Sequence, residues 1–161
     1  MHQVYLILGS NEGNRKELLQ LACKKITVNK TGNIVAQSAI YETDAWGDTS
    51  LPPHYNIALN INTTLTPIQL LHALQSIENE LGRNRSVKWG LRTIDIDIIY
   101  YDNLVINEPQ LIIPHPLMQD RKFVLYPLND IAPMWMHPIF QLSNRALLKQ
   151  CTDTLEVLKI S

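Results

Sequence analysis

The sequence predicts an α+β domain in which strands and helices follow the order β-α-β-β-α-β. Short apolar or alternating runs, typical of strands, bracket two longer segments whose apolar residues recur every three or four positions, as in helices. Capping residues, glycine or proline mark the ends of these helical segments. A chain of 161 residues suits one domain, which we expect to span residues 1–161.

The first half of this order lies in residues 3–43. QVYLILG (3–9) predicts a buried strand, and residues 14–28 carry one apolar stripe, which indicates a helix. A turn at TGN leads into a second strand at residues 33–43. The glycines of LGSNEG match neither standard nucleotide-binding fingerprint, so we expect a tight strand-to-helix turn there rather than an anion site.

The second half begins after a loop at residues 44–54, which are rich in Gly, Pro, Asp and Ser. Residues 55–65 alternate as a third strand. A helix is predicted over residues 66–81, with Thr66 as N-cap and Gly82 after its end, and residues 92–103 predict a fourth strand. This is the ferredoxin-like α/β arrangement, with two helices on one face of an antiparallel sheet and the other face free for a ligand.

The residues after position 104 predict a C-terminal extension of this core. Prolines interrupt it and leave short apolar pieces, with one helix expected near residues 143–150.

Composition excludes several classes of function. With 14 basic and 15 acidic residues, the formal charge of −1 gives no basic field for nucleic acid or an anionic membrane. Cys23 and Cys151 lie too far apart for a CxxC motif and favour a reducing compartment. No apolar run suits a signal peptide or a membrane span. We therefore expect a cytoplasmic protein, acting as a monomer, with no nucleic-acid or membrane partner.

The fourth strand, RTIDIDIIYYDN, contains two acids where acids are usually depleted. Because side chains alternate, Asp95 and Asp97 share one face, followed on that face by Ile99 and Tyr101. At about 7 Å and an effective dielectric near 20, two such charges repel by roughly 2 kcal/mol. An isolated Asp-x-Asp is most often a solvated sheet face, and on these residues alone that interpretation stays open.

A basic loop runs directly into this strand and favours a functional interpretation. It contains Arg83, Arg85, Lys88 and Arg92. Mg²⁺ takes one or two carboxylates and shares its remaining positions with water and substrate phosphates, which arginine also binds. Carboxylates beside guanidinium groups are typical of phosphoryl-type transfer.

Other candidate residues have structural alternatives. Glu78 falls in the apolar stripe of the second helix, where we expect a solvated edge; an acid that organises the site is the alternative. His115, between prolines, is most often structural. Four aromatic residues could stack on a flat ring or pack in a core: Trp46, Tyr55, Trp89 and Phe123.

Five motifs in chain order are more specific: LGSNEGNR (8–15), YETDAWG (41–47), Asn56, GRNRSVKWGLRTIDIDI (82–98) and PHPLMQDRKFVLYPLNDIAP (114–133). Together they closely resemble the 6-hydroxymethyl-7,8-dihydropterin pyrophosphokinase family of folate biosynthesis. The resemblance covers nearly the whole chain and is weakest in the last twenty-five or so residues. It implies an enzyme that moves pyrophosphate from ATP onto the pterin hydroxymethyl group and releases AMP.

The resemblance also implies roles for individual residues. Two Mg²⁺ ions would be held by Asp95 and Asp97, with Arg83 and Arg92 as further catalytic residues and Glu78 in support. The implied ATP contacts are Gln75, Arg85, Lys88, Arg92, His115 and Arg121. The implied pterin contacts are Thr43, Asp44, Trp46, Asn56, Trp89 and Phe123. Loops 44–54 and 83–91 would close over the substrates, and no residue is assigned as general base.

The chain departs from the family pattern at several positions, which affects loops and affinities rather than the reaction. Asp44 replaces proline, Leu51 lies near the position of a frequent glutamine, His54 replaces Tyr or Phe, and Tyr55 replaces leucine. Lys88 keeps the positive charge but lacks a bidentate fork, and Gln110 and Ile112 occupy positions that contact ATP in some members.

Three other functions fit parts of the pattern. An RNA-binding module of this fold would carry an aromatic ribonucleoprotein strand, which is absent here. A metal-dependent phosphohydrolase or nucleotidyl enzyme could use the same acids without a pterin. A regulatory small-molecule sensor would not require acids beside arginines.

Overall fold

The computed structural model describes residues 1–44, 52–82 and 93–160. The strands are β1 (His2–Ser10), β2 (Asn33–Gln37), β3 (Tyr41–Thr43), β4 (His54–Thr63), β5 (Asp95–Tyr101), β6 (Ile106–Glu108), β7 (Leu111–Ile113) and β8 (Val157–Lys159). The helices are α1 (Arg15–Val28), α2 (Pro67–Glu80), α3 (Lys122–Ile131) and α4 (Asn144–Gln150), with a 3₁₀ turn at Met118–Asp120. None of the helices in these ranges has the length and apolar character needed to cross a bilayer.

The main sheet has the strand order β5-β1-β4-β3-β8, and β2 also pairs with β4. Every one of these pairings is antiparallel. Strands β6 and β7 form a separate hairpin. With α1 after β1 and α2 after β4, the core has the predicted ferredoxin-like order.

Local sequence signals set the ends of α1 and α2. The Oδ1 atom of Asn14 accepts a hydrogen bond from the Glu17 amide at 3.1 Å, which caps α1. Thr66 and Gln69 form a reciprocal capping box at the start of α2. Gly82, with φ of +90°, follows α2 in a conformation that favours glycine. The predicted helices are confirmed to within a residue or two.

The face of the sheet toward α1 and α2 carries an apolar core. Alternate residues of β1, β4 and β5 point to this side and pack against buried residues of both helices. Leu6, Leu59 and Ile98 are among them, each 5% exposed or less. The two helices therefore bury the central part of this face.

The predicted strand at residues 33–43 is wrong in one respect, because the structure breaks it into β2 and β3. At the break, the Ala39 amide donates to Asp130 of α3 at 3.0 Å instead of pairing with β4. The Ser38 hydroxyl accepts from the Ala58 amide at 2.8 Å and replaces a ladder bond. His54, predicted as a loop residue, starts β4 because it pairs with Thr43.

The predicted position of Tyr101 is also wrong. Tyr5 pairs with Tyr100 and Leu6 with Ile98, so β5 has an extra residue at Ile99. Such a bulge reverses the alternation beyond it. Tyr101 therefore packs with the core under α1 and α2, whereas Ile99 stays on the face of the two acids.

The sequence predicted that the second face of the sheet would be free, but the structure shows that part of it is covered. The C-terminal extension covers half of it with a second core that includes Tyr5, Ala58 and Ile99 from the strands and Leu128 and Leu147 from α3 and α4. The sequence does not predict helix α3, because Pro127 normally interrupts a helix. Burial of its apolar stripe offsets the lost backbone hydrogen bond.

Candidate active site

The uncovered half of the second face forms the floor of a cavity of about 460 Å³. Strands β1, β3, β4 and β5 supply this floor, and the part from β3 and β4 is called the strand wall. The segments before and within α3 supply the opposite wall. Twelve residues line the cavity: Ile7, Gly9, Thr43, Asp44, His54, Asn56, Asp95, Asp97, His115, Arg121, Phe123 and Leu155. Eight of these were predicted as site residues, from motifs that are far apart in the sequence.

Strand β5 presents Asp95 and Asp97 on the cavity side. Asp95 is partly buried and Asp97 is exposed, while Ile94 and Ile96 lie in the core behind them. The predicted shared face is therefore confirmed. Because they project from a rigid strand, both carboxylates are held toward the same volume.

Glu78 lies behind this strand and does not line the cavity. It is only 4% exposed, and its Oε2 atom accepts a hydrogen bond from the Ile96 amide at 2.9 Å. The expectation of a solvated stripe edge is therefore wrong. The carboxylate bonds the main chain between Asp95 and Asp97, and so fixes the strand segment that carries both acids.

Strand β4 contributes the amide of Asn56, which packs against Gly9 of β1. Asn56 is 4% exposed, and its Nδ2 atom donates to no acceptor in the described part of the chain. A Cβ atom at position 9 would lie 2.5 Å from Asn56 Oδ1, so glycine alone allows this close packing. A buried amide donor without a partner is unusual and favours a ligand acceptor at this end of the cavity.

Arg121, Phe123 and His115 form the opposite wall. The Arg121 guanidinium lies 5.6 Å from the centre of the Phe123 ring, within cation–π range. Burial, and then the positive charge of Arg121, lower the pKa of His115. Its Nδ1 atom accepts from the Leu117 amide at 3.3 Å, so the neutral ring carries its proton on Nε2.

Four lining residues were not predicted as site residues: Ile7, Gly9, His54 and Leu155. Asp153 explains how Leu155 reaches the cavity, because its carboxylate accepts from the Lys122 amide and the Leu155 amide, both at 3.0 Å. These bonds hold the segment after α4 against the start of α3. Alternation could have found Ile7 and His54, whereas Leu155 depends on tertiary contacts alone.

Several predicted residues lie elsewhere. Gln75 is half-buried on α2 and does not line the cavity. Gln110 and Ile112 are exposed residues of the β6–β7 hairpin. Outside the described residues lie Trp46, Leu51, Arg83, Arg85, Lys88, Trp89 and Arg92, together with most of loop 44–54 and all of loop 83–91.

The donor set of the cavity suits a hard divalent cation shared with phosphate. The described residues contain no cluster of three or more His, Cys, Asp or Glu that could enclose a metal ion by themselves. The cavity instead has two carboxylates on one strand, the number that Mg²⁺ takes when phosphates and water complete its coordination. The residues present therefore fit a magnesium–nucleotide complex better than a closed metal site.

Comparison with known proteins agrees with this geometry. Residues 5–133 match the family model described as 7,8-dihydro-6-hydroxymethylpterin-pyrophosphokinase (HPPK). The chain belongs to the HPPK family. The match includes every lining residue of the cavity except Leu155.

Curated HPPK relatives extend the similarity. The chain is 44% identical over 128 residues to the Bacillus subtilis 2-amino-4-hydroxy-6-hydroxymethyldihydropteridine pyrophosphokinase, covering 80% of this chain and 77% of the relative. It is 42% identical over 133 residues to the Methylorubrum extorquens protein of the same name, covering 83% and 84%.

Solved structures support the fold. The Plasmodium falciparum HPPK-DHPS wild type with pterin and p-hydroxybenzoate superposes with a TM-score of 0.73 at 18% identity, covering 92% of this chain. This chain spans 43% of that longer chain. At this identity the similarity supports the HPPK fold and nothing beyond it.

Proposed function

We infer that this HPPK chain transfers the terminal pyrophosphoryl group of ATP to the hydroxymethyl oxygen of 6-hydroxymethyl-7,8-dihydropterin, giving the pterin diphosphate and AMP in folate biosynthesis. One structural observation carries the inference. A single cavity contains the Asp95–Asp97 carboxylate pair on β5 and, two strands away on β4, the Asn56 amide, whose Nδ2 atom has no acceptor among the described residues. The first suits a metal–triphosphate and the second suits the polar edge of a heterocycle.

The Asn56 end of the cavity binds the pterin. The Asn56 Nδ2 group donates to an acceptor on the ring edge, since it has no acceptor among the described residues. Thr43 and Asp44 lie beside it on the cavity wall, and the Phe123 ring supplies an aromatic face for stacking. Trp46 and Trp89, proposed from the family motifs, complete this set.

The β5 side binds ATP. Asp95 and Asp97 would hold two Mg²⁺ ions, which supply Lewis-acid chemistry and neutralise charge on the triphosphate when bound. Arg121 lies on the same cavity and places a guanidinium group where phosphate oxygens would lie. Neutral His115 presents its Nε2–H as a further donor without competing with the carboxylates for the metal.

The remaining residues act by positioning. Glu78 keeps Asp95 and Asp97 in register through the Ile96 amide. The apolar side chains of Ile7, Phe123 and Leu155 exclude water from the cavity, which protects the phosphoryl group from hydrolysis. Arg83 and Arg92 as catalytic residues, Gln75, Arg85 and Lys88 as ATP contacts, and closure of loops 44–54 and 83–91 follow from the family motifs.

The products of the reaction test this function. Purified protein with ATP, Mg²⁺ and 6-hydroxymethyl-7,8-dihydropterin is expected to release AMP only when the pterin is present. Omission of Mg²⁺, or its removal with a chelator, should abolish AMP formation. ADP or inorganic phosphate formed without pterin would reject pyrophosphoryl transfer and favour the phosphohydrolase.

We also propose that residues 1–161 act as one pyrophosphokinase domain, as a monomer in the cytoplasm, without a nucleic-acid or membrane partner. Both apolar cores pack on the same sheet, which supports one folding unit. Cys23 and Cys151 are free thiols, as suits a reducing compartment. Sedimentation equilibrium with and without ATP tests the monomer.

A further inference from the structure

Arg15, the first residue of α1, contacts three parts of the chain on the side of the sheet opposite the cavity. Its Nη1 atom donates to the Pro53 carbonyl at 2.7 Å and lies 3.7 Å from Glu42 Oε2. Its guanidinium carbon lies 3.8 Å from the centre of the Tyr55 ring. One side chain thus joins β3, β4 and the residue before β4.

The partners of Arg15 alternate with residues that line the cavity. Glu42 and Tyr55 are directly opposed in the β3–β4 ladder, as are Thr43 and His54. Because neighbouring residues of a strand point to opposite faces, Arg15 holds the back of the strand wall whose front carries Thr43, His54 and Asn56. Asn56 lines the proposed pterin end of the cavity, and its Nδ2 atom has no acceptor among the described residues.

The three contacts constrain different freedoms of this wall. The ion pair and the ring contact fix the spacing of β3 and β4, while the bond to Pro53 fixes the direction in which the chain enters β4. The Arg15 side chain is 25% exposed and the Glu42 side chain is 26% exposed, so screening by solvent makes the ion pair weak by itself. The planar guanidinium makes all three contacts together, which an ammonium group cannot do.

We propose that Arg15 is a positioning residue for the pterin, acting through β3 and β4 on Thr43 and Asn56 without touching the substrate. The assignment rests on the proposed function, since it concerns the pterin end of the same cavity. It assigns no role to Arg15 in ATP binding, because β5 carries the acids and makes no contact with this side chain in the described residues.

The central experiment compares Arg15→Met with wild type by calorimetric titration of 6-hydroxymethyl-7,8-dihydropterin and by steady-state kinetics. We expect the pterin Kd and KM to rise about tenfold, with kcat and the KM for ATP changed less than about twofold, because the wall loses its orientation and the metal side does not. Arg15→Lys should fall between the two. The exposed neighbour Lys16, as Lys16→Met, is the matched control for lost charge and should behave as wild type.

A milder pair of variants keeps the proposal testable if Arg15→Met does not fold. Glu42→Gln and Tyr55→Leu each remove one contact of Arg15 and should each raise the pterin Kd by about threefold. Measurements are made well below the melting temperature of each variant, which separates positioning from loss of folded protein.

The possible results are distinct. An unchanged pterin Kd in the folded variants, or a KM for ATP that rises as much as that for the pterin, would overturn the role of Arg15 alone. Wild-type protein that neither binds the pterin nor forms AMP would overturn the proposed function, and the role of Arg15 with it.

Discussion

Strands β1, β4 and β5 carry different kinds of residue on the two faces of the sheet. Toward α1 and α2 their buried residues form one apolar core. On the second face they change character partway along: Tyr5, Ala58 and Ile99 lie under the C-terminal helices, whereas Gly9, Asn56 and Asp97 line the open cavity. We call these the sealed half and the open half of the second face.

The boundary between the halves crosses the strands obliquely, because one row of paired residues belongs to both halves. Gly9 is opposite both Asn56 and Asp95, so three polar or glycine positions meet in one row across β4, β1 and β5. In the next row of the same face, Ile7 is opposite Ala58 of the sealed half and Asp97 of the open half, and Ile7 itself borders both. Residues that stabilise the fold and residues that form the site are therefore separated along the strands as well as between the two faces.

The largest expected effect comes from the acids of the open half. Asp95→Asn should lower kcat/KM about a thousandfold, because a carboxylate that holds the metal contributes several kcal/mol to the transition state. Asp102→Asn is the matched control. Asp102 follows the other end of β5, where its carboxylate bonds the Gln3 amide and His2, so activity should stay within about twofold. A loss below tenfold at position 95 would contradict the assigned metal site.

A pair of leucines separates the halves by stability. Leu128 is 0% exposed and packs in the sealed half. Leu128→Ala should lower the free energy of unfolding by about 2–5 kcal/mol and leave the pterin KM unchanged. Leu155→Ala, in the partly exposed cavity wall, should cost about 1 kcal/mol or less and raise the pterin KM severalfold. Urea unfolding and steady-state kinetics measure both. The reverse pattern would mean that the boundary is misplaced.

The smallest effect concerns a histidine of the sealed half. Burial lowers the pKa of His137 from its ordinary value of 6.5, and its Nδ1 accepts from the Ile139 and Phe140 amides. The folded state therefore prefers the neutral ring. Its stabilising contribution is complete above about pH 6.5 and declines as the pH falls below that value, where the unfolded chain takes up the proton first.

Substitution checks this sign. His137→Asn keeps an acceptor but cannot titrate, so the unfolding free energy should fall less between about pH 7 and pH 5 than in wild type. The exposed His72, as His72→Asn, is the control for the substitution itself. A slope equal to that of wild type in His137→Asn would remove His137 from the acid response.

Much of this organisation could be predicted from sequence because it follows local periodicity. Alternation placed Asp95 and Asp97 on one face, and capping at Thr66 placed the start of α2. The bulge at Ile99 could not be read locally, since nothing in the run of apolar residues marks where the register slips. Pro127 similarly concealed α3, whose stability comes from burial against the sheet rather than from propensity.

The site was predictable to a different extent. The motifs gave Asn56, His115 and Phe123 without geometry, whereas the role of Gly9 needed the packing distance to Asn56. Glu78 was misplaced because a lone acid in an apolar stripe is ambiguous until its partner, the Ile96 amide, is known. Leu155 reaches the cavity only through the bonds of Asp153, which no local pattern encodes.

Two asparagines on the same face of β4 test the central claim most directly. Asn56 lies in the open half, and Asn60, 8% exposed, lies four residues further along the strand, opposite Tyr5 of the sealed half. Their side-chain amide signals can be followed in a ¹⁵N-labelled sample as 6-hydroxymethyl-7,8-dihydropterin is added with Mg²⁺ and a non-hydrolysable ATP analogue. If the pterin binds in the open half, we expect the Asn56 signal to shift while that of Asn60 stays in place. A shift at Asn60 with Asn56 unchanged would place the pterin elsewhere and contradict the proposed site.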